Sequence, residues 1–209
     1  MKYLKILMYV IGGLLLSVNS ILAAEEPQFE LLEKHEDIEI RQYSAYLVAE
    51  VIVFSDFEDA GNEAFSRLFG YIGGENISQE SIEMTSPVRQ EKLDDEGLEI
   101  EMTSPVRQER ADSGSYRVSF VMPDRFTLES LPKPKDNRIQ LLEVPQKKVA
   151  VIRYSGTWSK DNYQENESLL YAFLREKGIQ IKGDPVWARY NAPFVPWFLR
   201  RNEILIEIE

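Results

Sequence analysis

One order of elements occurs twice in this chain. Leu47-Val48-Ala49 reads as the start of a strand and is followed by a stretch with helical spacing, and about one hundred residues later Val149-Ala150-Val151 is followed by another. In the first helical stretch Phe57, Ala60, Ala64, Phe65, Leu68, Phe69 and Ile72 form one apolar stripe. Ser55-x-x-Glu58 reads as a capping box at its start, and Gly73-Gly74 as its stop. In the second, Tyr163, Leu170, Phe173 and Leu174 make the stripe, Ser159 is the expected cap, and Gly178 ends it.

Around these helices the period changes to two. Ile38, Ile40 and Gln42 share a face opposite Asp37, Glu39 and Arg41. Leu98, Ile100 and Met102 alternate with Glu99 and Glu101, and Ile204, Ile206 and Ile208 alternate with Glu203, Glu207 and Glu209. Such segments read as half-buried antiparallel strands. Residues 45–53, 116–122 and 148–154 are apolar on both faces and read as central strands. Each half then runs strand, helix, strand, strand. The expectation is one α+β domain of two similar halves, a distorted antiparallel β-barrel with two flanking helices. Two separate small domains are the other architecture, but no Gly/Ser-rich linker divides the halves. Leu131-Pro132-Lys133-Pro134-Lys135, the one connector-like stretch, is a stiff loop.

The N-terminus has its own composition. Lys2 and Lys5 precede the apolar run Ile6–Leu16, then come Ser17, Asn19, Ser20 and Ala23-Ala24, which is the order of a secretory signal. The 19 residues from Ile6 to Ala24 carry no charge, long enough for an uncleaved anchor to be the alternative. The expected division is residues 1–24 as signal or anchor and 25–209 as one domain. Export to the periplasm or the exterior follows, with membrane contact only if the segment is retained. Its removal takes two lysines and no acid, moving the net charge from −11 to −13. Such a chain offers no basic face for nucleic acid.

Reactive side chains are few. There is no Cys and one His, His35, which excludes thiol catalysis, Cys-based metal sites and any multi-histidine centre. His35 lies in a polar run and reads as a solvated surface residue. No phosphate loop or dinucleotide fingerprint occurs. The nine residues Glu83 to Glu91 recur as Glu101 to Glu109, and Pro87 and Pro105 place both copies at strand ends, bulges or an edge. The repeat reads either as a duplicated surface loop or as a ligand mouth lined by one copy with its Met. Residues 187–203 hold five aromatic rings, two prolines and three arginines. They read either as core packing of a proline-fixed loop or as a groove for a planar anionic ligand.

Several segments together resemble one family, the SOUL heme-binding proteins. They are Asp37-Ile38-Glu39-Ile40-Arg41-Gln42-Tyr43, residues 69–76, Met84-Thr85-Ser86-Pro87-Val88, residues 118–123, Arg189-Tyr190-Asn191-Ala192-Pro193 and Arg200-Arg201-Asn202-Glu203. They fall in order from about residue 27 to the C-terminus. The resemblance implies a barrel of two strand-helix-strand-strand halves and a non-enzymatic protein that binds heme or a related porphyrin. It implies an apolar groove against the first helix, with Phe65, Leu68 and Phe69 for the macrocycle and Arg67 for a carboxylate. In members with a histidine ligand, that histidine precedes the tyrosine of the Ile-Arg-x-Tyr motif, where this chain has Gln42. An amide is a poor ligand for heme iron, so weak or absent axial ligation is expected, with Met84, Met102 or Tyr43 as substitutes. The alternative function is an interaction or small-ligand module on the same scaffold without heme.

Overall fold

The computed structural model describes residues 24–78, 97–112 and 114–209. In chain order the elements are β1 (Phe29–His35), β2 (Ile38–Tyr43), β3 (Tyr46–Val53), α1 (Phe57–Ile72), β4 (Asn76–Ile77), β5 (Val106–Arg110), β6 (Tyr116–Val121), β7 (Lys133–Pro134), β8 (Gln140–Val144), β9 (Lys147–Tyr154), α2 (Lys160–Lys177), β10 (Val186–Arg189) and β11 (Asn202–Glu207). Nine strands form one antiparallel sheet in the order β1-β2-β9-β11-β10-β5-β6-β3-β8. The two expected halves are present as β3-α1-β5-β6 and β9-α2-β10-β11. They meet at β5 and β10, where Val186 faces Glu109 and Arg189 faces Val106. On either side of that junction the strands repeat the same order outward.

The sheet curls because both its faces are apolar and neither can be left in water. Tyr43 on β2 and Tyr46 on β3 stand near opposite ends of the strand order, yet their rings are 6.3 Å apart. Inside the curl they pack with Val48, Val121, Val151 and Leu205. The outer face is covered twice. Under α1, Ala60, Ala64 and Leu68 meet Ala49, Val51 and Val118; under α2, Leu170 and Leu174 meet Ala150, Ile152, Ile204 and Ile206.

Some strand faces run opposite to expectation. The alternating acids of β11 suggested a solvated side, but Glu203 is fully buried and points into the curl. One face of β11 is covered by α2 and the other lines the interior of the curl, so water reaches neither. Glu203 accepts a two-pronged contact from buried Arg41 on β2, at 2.9 and 3.1 Å. Tyr190 Oη donates to it at 2.7 Å and Arg201 Nε at 3.0 Å. Desolvation alone would raise the Glu203 pKa, but the Arg41 hydrogen bonds and charge hold it below the ordinary carboxylate value.

Three local expectations are corrected. The cap of α1 is Asp56, which makes no side-chain cap bond, and Ser55 Oγ is buried without a partner, so the capping box does not form. Residues 98–102 are not a strand: Glu99 makes a single bridge to Gly73, and Ile100 drops into the core under α1. The proline-rich connector is a short strand, β7, paired with β4. The second helix matches its reading, with Ser159 Oγ accepting from Asn162 N and Gly178 closing it at φ 67°. The second repeat copy also fits, Pro105 standing immediately before β5.

Candidate functional site

Helix spacing brings two of the expected site residues, Phe65 and Phe69, to one place. Phe65 and Phe69, one turn apart on α1, lie nearly parallel with ring centroids 5.6 Å apart and planes at 15°. Phe65 is anchored edge-on against Phe120 of β6 at 5.3 Å, whereas Phe69 is 51% exposed and turns its ring outward. Leu68 is turned to the sheet and fully buried in the core against which Phe65 packs, so it supports the pair without reaching the surface. Arg67, two residues from each ring and therefore on the opposite flank of the helix, is half-buried, with loose contacts to Glu63 at 3.6 Å and Asp136 at 3.7 Å. Asp136 is held more tightly by Arg138, whose hydrogen bonds bring its carboxyl down to about 2. Arg67 therefore keeps donor capacity for a further acid.

Gln42 stands elsewhere. It is half-buried on β2, opposite Glu30 on one side and Lys148 on the other. Its sheet face is shared with Ile38 and Ile40, which pack under α2 and not α1. Met84 lies outside the described residues, while Met102, its counterpart in the second repeat copy, is partly exposed ahead of β5. His35 pairs with Glu33 at 3.1 Å and lies 5.2 Å from the ring of Phe173 on α2. Tyr43 is buried inside the curl, with Arg41 Nη1 donating to its hydroxyl. Among the described residues no group of three His, Cys, Asp or Glu side chains is placed to hold a metal ion.

Sequence reasoning did not separate the two ends of the aromatic segment 187–203. Trp187 is fully buried and stacks on Phe57 at 4.9 Å and 12°. Arg189 lies over Trp187 at 4.9 Å and over Trp158 at 5.4 Å, and Arg200 covers Trp158 from 4.3 Å. Rings and guanidinium groups thus form one continuous column between the helices. Burial brings the Arg189 pKa down to about 10, and no carboxylate among the described residues pairs with it. The other end, Phe194 to Leu199, lies on the surface.

Two further clefts differ in character from the α1 face. One of about 430 Å³, beside Tyr46, Leu47, Met122 and Phe126, is bordered by Asp124, Glu129 and Glu143 and contains no basic side chain. The other, of about 130 Å³ between the helices, is bordered by Glu109, Glu167 and Asp184 together with Arg110 and Lys160. The first has the wrong sign for an anionic ligand. The second is below the few hundred cubic ångströms that an organic ligand occupies.

The SOUL heme-binding protein profile matches residues 24–207. No curated protein matches the sequence. Among solved structures, the C-terminal domain of EcmrR aligns with a TM-score of 0.54 at 10% identity, over 87% of this chain and 98% of that domain. An EcmrR chain from a complex with DNA gives 0.58 at 8% identity, over 82% of this chain and 57% of that one. A hydrolase from Listeria innocua gives 0.53 at 12% identity, over 83% and 92%. At such identities the likeness is one of fold.

Proposed function

This chain belongs to the SOUL heme-binding protein family, and on that premise we propose that it binds heme or a related tetrapyrrole reversibly against the outer face of α1, as a carrier and not an enzyme. The observation that carries this reading is the nearly parallel Phe65 and Phe69 pair, with Phe69 open to the surface; Arg67 stands on the other flank of the same helix. Flat rings suit the macrocycle face, and a guanidinium suits a propionate carboxylate. When bound, heme would supply its own iron chemistry. Phe65 and Phe69 would hold the macrocycle face and Arg67 a propionate, whereas Gln42, on the sheet face under α2, would take no part in holding the group. Exchangeable binding follows from contacts of this kind.

Hemin titration of the purified protein, followed by the Soret band and tryptophan quenching, tests the reading. Phe69→Ser removes an exposed ring and should weaken binding about tenfold, the effect of losing roughly 1.4 kcal/mol of aromatic contact. Arg67→Gln should weaken hemin more than a porphyrin whose carboxylates are esterified. Unchanged affinity in both variants, or no spectral change at micromolar hemin, would refute it.

We also infer export, on the basic, uncharged and small-residue order of residues 1–24. N-terminal sequencing of the protein isolated from its cells gives Glu25 as the first residue if the segment is removed and Met1 if it is retained. A chain recovered only from the cytoplasm would contradict it.

A further inference from the structure

The turn joining β10 to β11 has no part in the α1 site. Phe194 is 88% exposed, Trp197 58%, Phe198 57% and Leu199 65%, four large apolar side chains within six residues. Single exposed apolar residues are ordinary, whereas a contiguous patch marks a contact surface. The turn is also built to hold its shape. Arg200 donates from Nε to the Val195 carbonyl at 2.8 Å and from Nη2 to the Pro193 carbonyl at 2.7 Å. Gly156 N donates to the Trp197 carbonyl at 3.0 Å, and Asn191 Oδ1 accepts from Arg201 N at 2.6 Å. With the Arg200 guanidinium folded back over Trp158, the outer side of the turn is rings and aliphatic carbon. In a chain of net charge −11, the 17 residues from Val186 to Asn202 contain no carboxylate.

What lies against this turn is indicated by where the N-terminal run leaves the domain. Glu26 pairs with Arg201 at 2.8 Å, directly after the turn, and the Glu25 carbonyl accepts from Ser104 N at 2.8 Å. The 19 uncharged residues from Ile6 to Ala24 end two residues before that pair. A bilayer that holds this run would lie at the same end of the barrel as the turn. Tryptophan with flanking arginine is the chemistry of the membrane interface, and phenylalanine and leucine that of the acyl boundary just below it.

We propose that Phe194, Trp197, Phe198 and Leu199 insert into the interface of a lipid bilayer at the end where the N-terminal segment departs, so that the domain sits on the membrane in one orientation. The proposal rests on the reading of residues 1–24 as a membrane-directed segment and is independent of the heme site on α1.

The full chain is synthesised in the presence of phosphatidylcholine vesicles, a zwitterionic surface that does not repel an acidic protein, with and without brominated acyl chains. The expected result is co-flotation with the vesicles, with tryptophan emission quenched by the brominated lipid. Trp187 is fully buried and Trp158 is covered by two arginines, so the signal reports Trp197. Trp197→Phe should float equally and lose the quenching, and Phe194→Ser combined with Phe198→Ser should reduce quenching while leaving Trp197 in place. Flotation without quenching overturns the proposal and leaves the N-terminal reading intact, whereas absence of flotation overturns both. Dimers that Phe198→Ser dissolves would assign the face to a second copy and also overturn it. A hemin titration unchanged in Trp197→Phe keeps the outcome separate from the α1 reading.

Discussion

Gly61 in α1 is a position where the usual effect of a substitution should reverse sign. Alanine in a helix interior is ordinarily favoured over glycine by about 1 kcal/mol. Here the helix packs directly on Arg189. A Cβ built on Gly61 would lie 2.6 Å from Nη1 and 2.8 Å from Cζ of that side chain, and closer still to Nη2. A long side chain could normally yield, but this one lies between Trp187 and Trp158. Trp187 is in turn backed by Phe57, and Trp158 by Arg200. Displacing the guanidinium therefore moves the column, and overpacking of this kind costs about 1–3 kcal/mol. The net expectation for Gly61→Ala is destabilisation of about 0–2 kcal/mol. Urea unfolding of the parent, Gly61→Ala, Arg189→Met and the double variant measures it as a cycle. With the flexible methionine in place of the guanidinium, Gly61→Ala should become favourable by about 1 kcal/mol. A Gly61→Ala variant that is more stable than the parent in both backgrounds would refute the reasoning.

Other perturbations follow from the same packing. Arg41→Met leaves Glu203 buried with only Arg201 and Tyr190, and should cost about 3 kcal/mol, the lower end for breaking a buried pair; chemical denaturation measures it. Because the folded Glu203 pKa lies below its ordinary value, its stabilising contribution is complete above about pH 4.5 and is lost as the pH falls through the folded value. The Arg41→Met variant should accordingly show a weaker dependence of stability on pH across that acid range. Ser159→Ala removes the cap of α2 and should cost about 1 kcal/mol, seen as a lower thermal midpoint. Leu68→Ala opens a cavity under α1 at a cost of about 2–5 kcal/mol, and hemin affinity measured well below its melting temperature should fall with the seating of Phe65. Gln42→His should leave the spectrum of bound hemin unchanged; a shift to a low-spin bis-ligated form would place the ligand on the β2 face instead.

The two halves, both helices and five of the strands follow from period alone, because apolar stripes at 3.6 or 2 residues record which side of an element avoids water. That record fails where both sides avoid it. The acids of β11 and the charges of β2 read as solvent-facing, yet Glu203 and Arg41 satisfy each other inside the curl, and their separation of 162 residues leaves no local trace of the pairing. β1 and β8 expose most of their side chains at the sheet edges and carry too little apolar pattern to be recognised. Within the candidate site, Phe65 and Phe69 converge because one helical turn relates them, whereas Arg67, half a turn away, lies on the other flank of α1. Gln42 does not join them, since the side of the sheet a strand residue faces depends on which helix covers that strand, which is settled only by the long-range order β2-β9-β11. The Arg189 column was equally invisible, its members being drawn from α1, the loop before α2, β10 and the loop before β11.

The last strand to be synthesised is one of the most enclosed. β11 lies between β9 and β10, and supplies Ile204, Ile206 and Leu205 to two different cores as well as the acid that neutralises Arg41. Neither half can complete the shared interior by itself, so almost the whole polypeptide must be available before the barrel can close, and the contacts that close it are separated by most of the chain length. Folding of such a topology is slow compared with that of helical bundles.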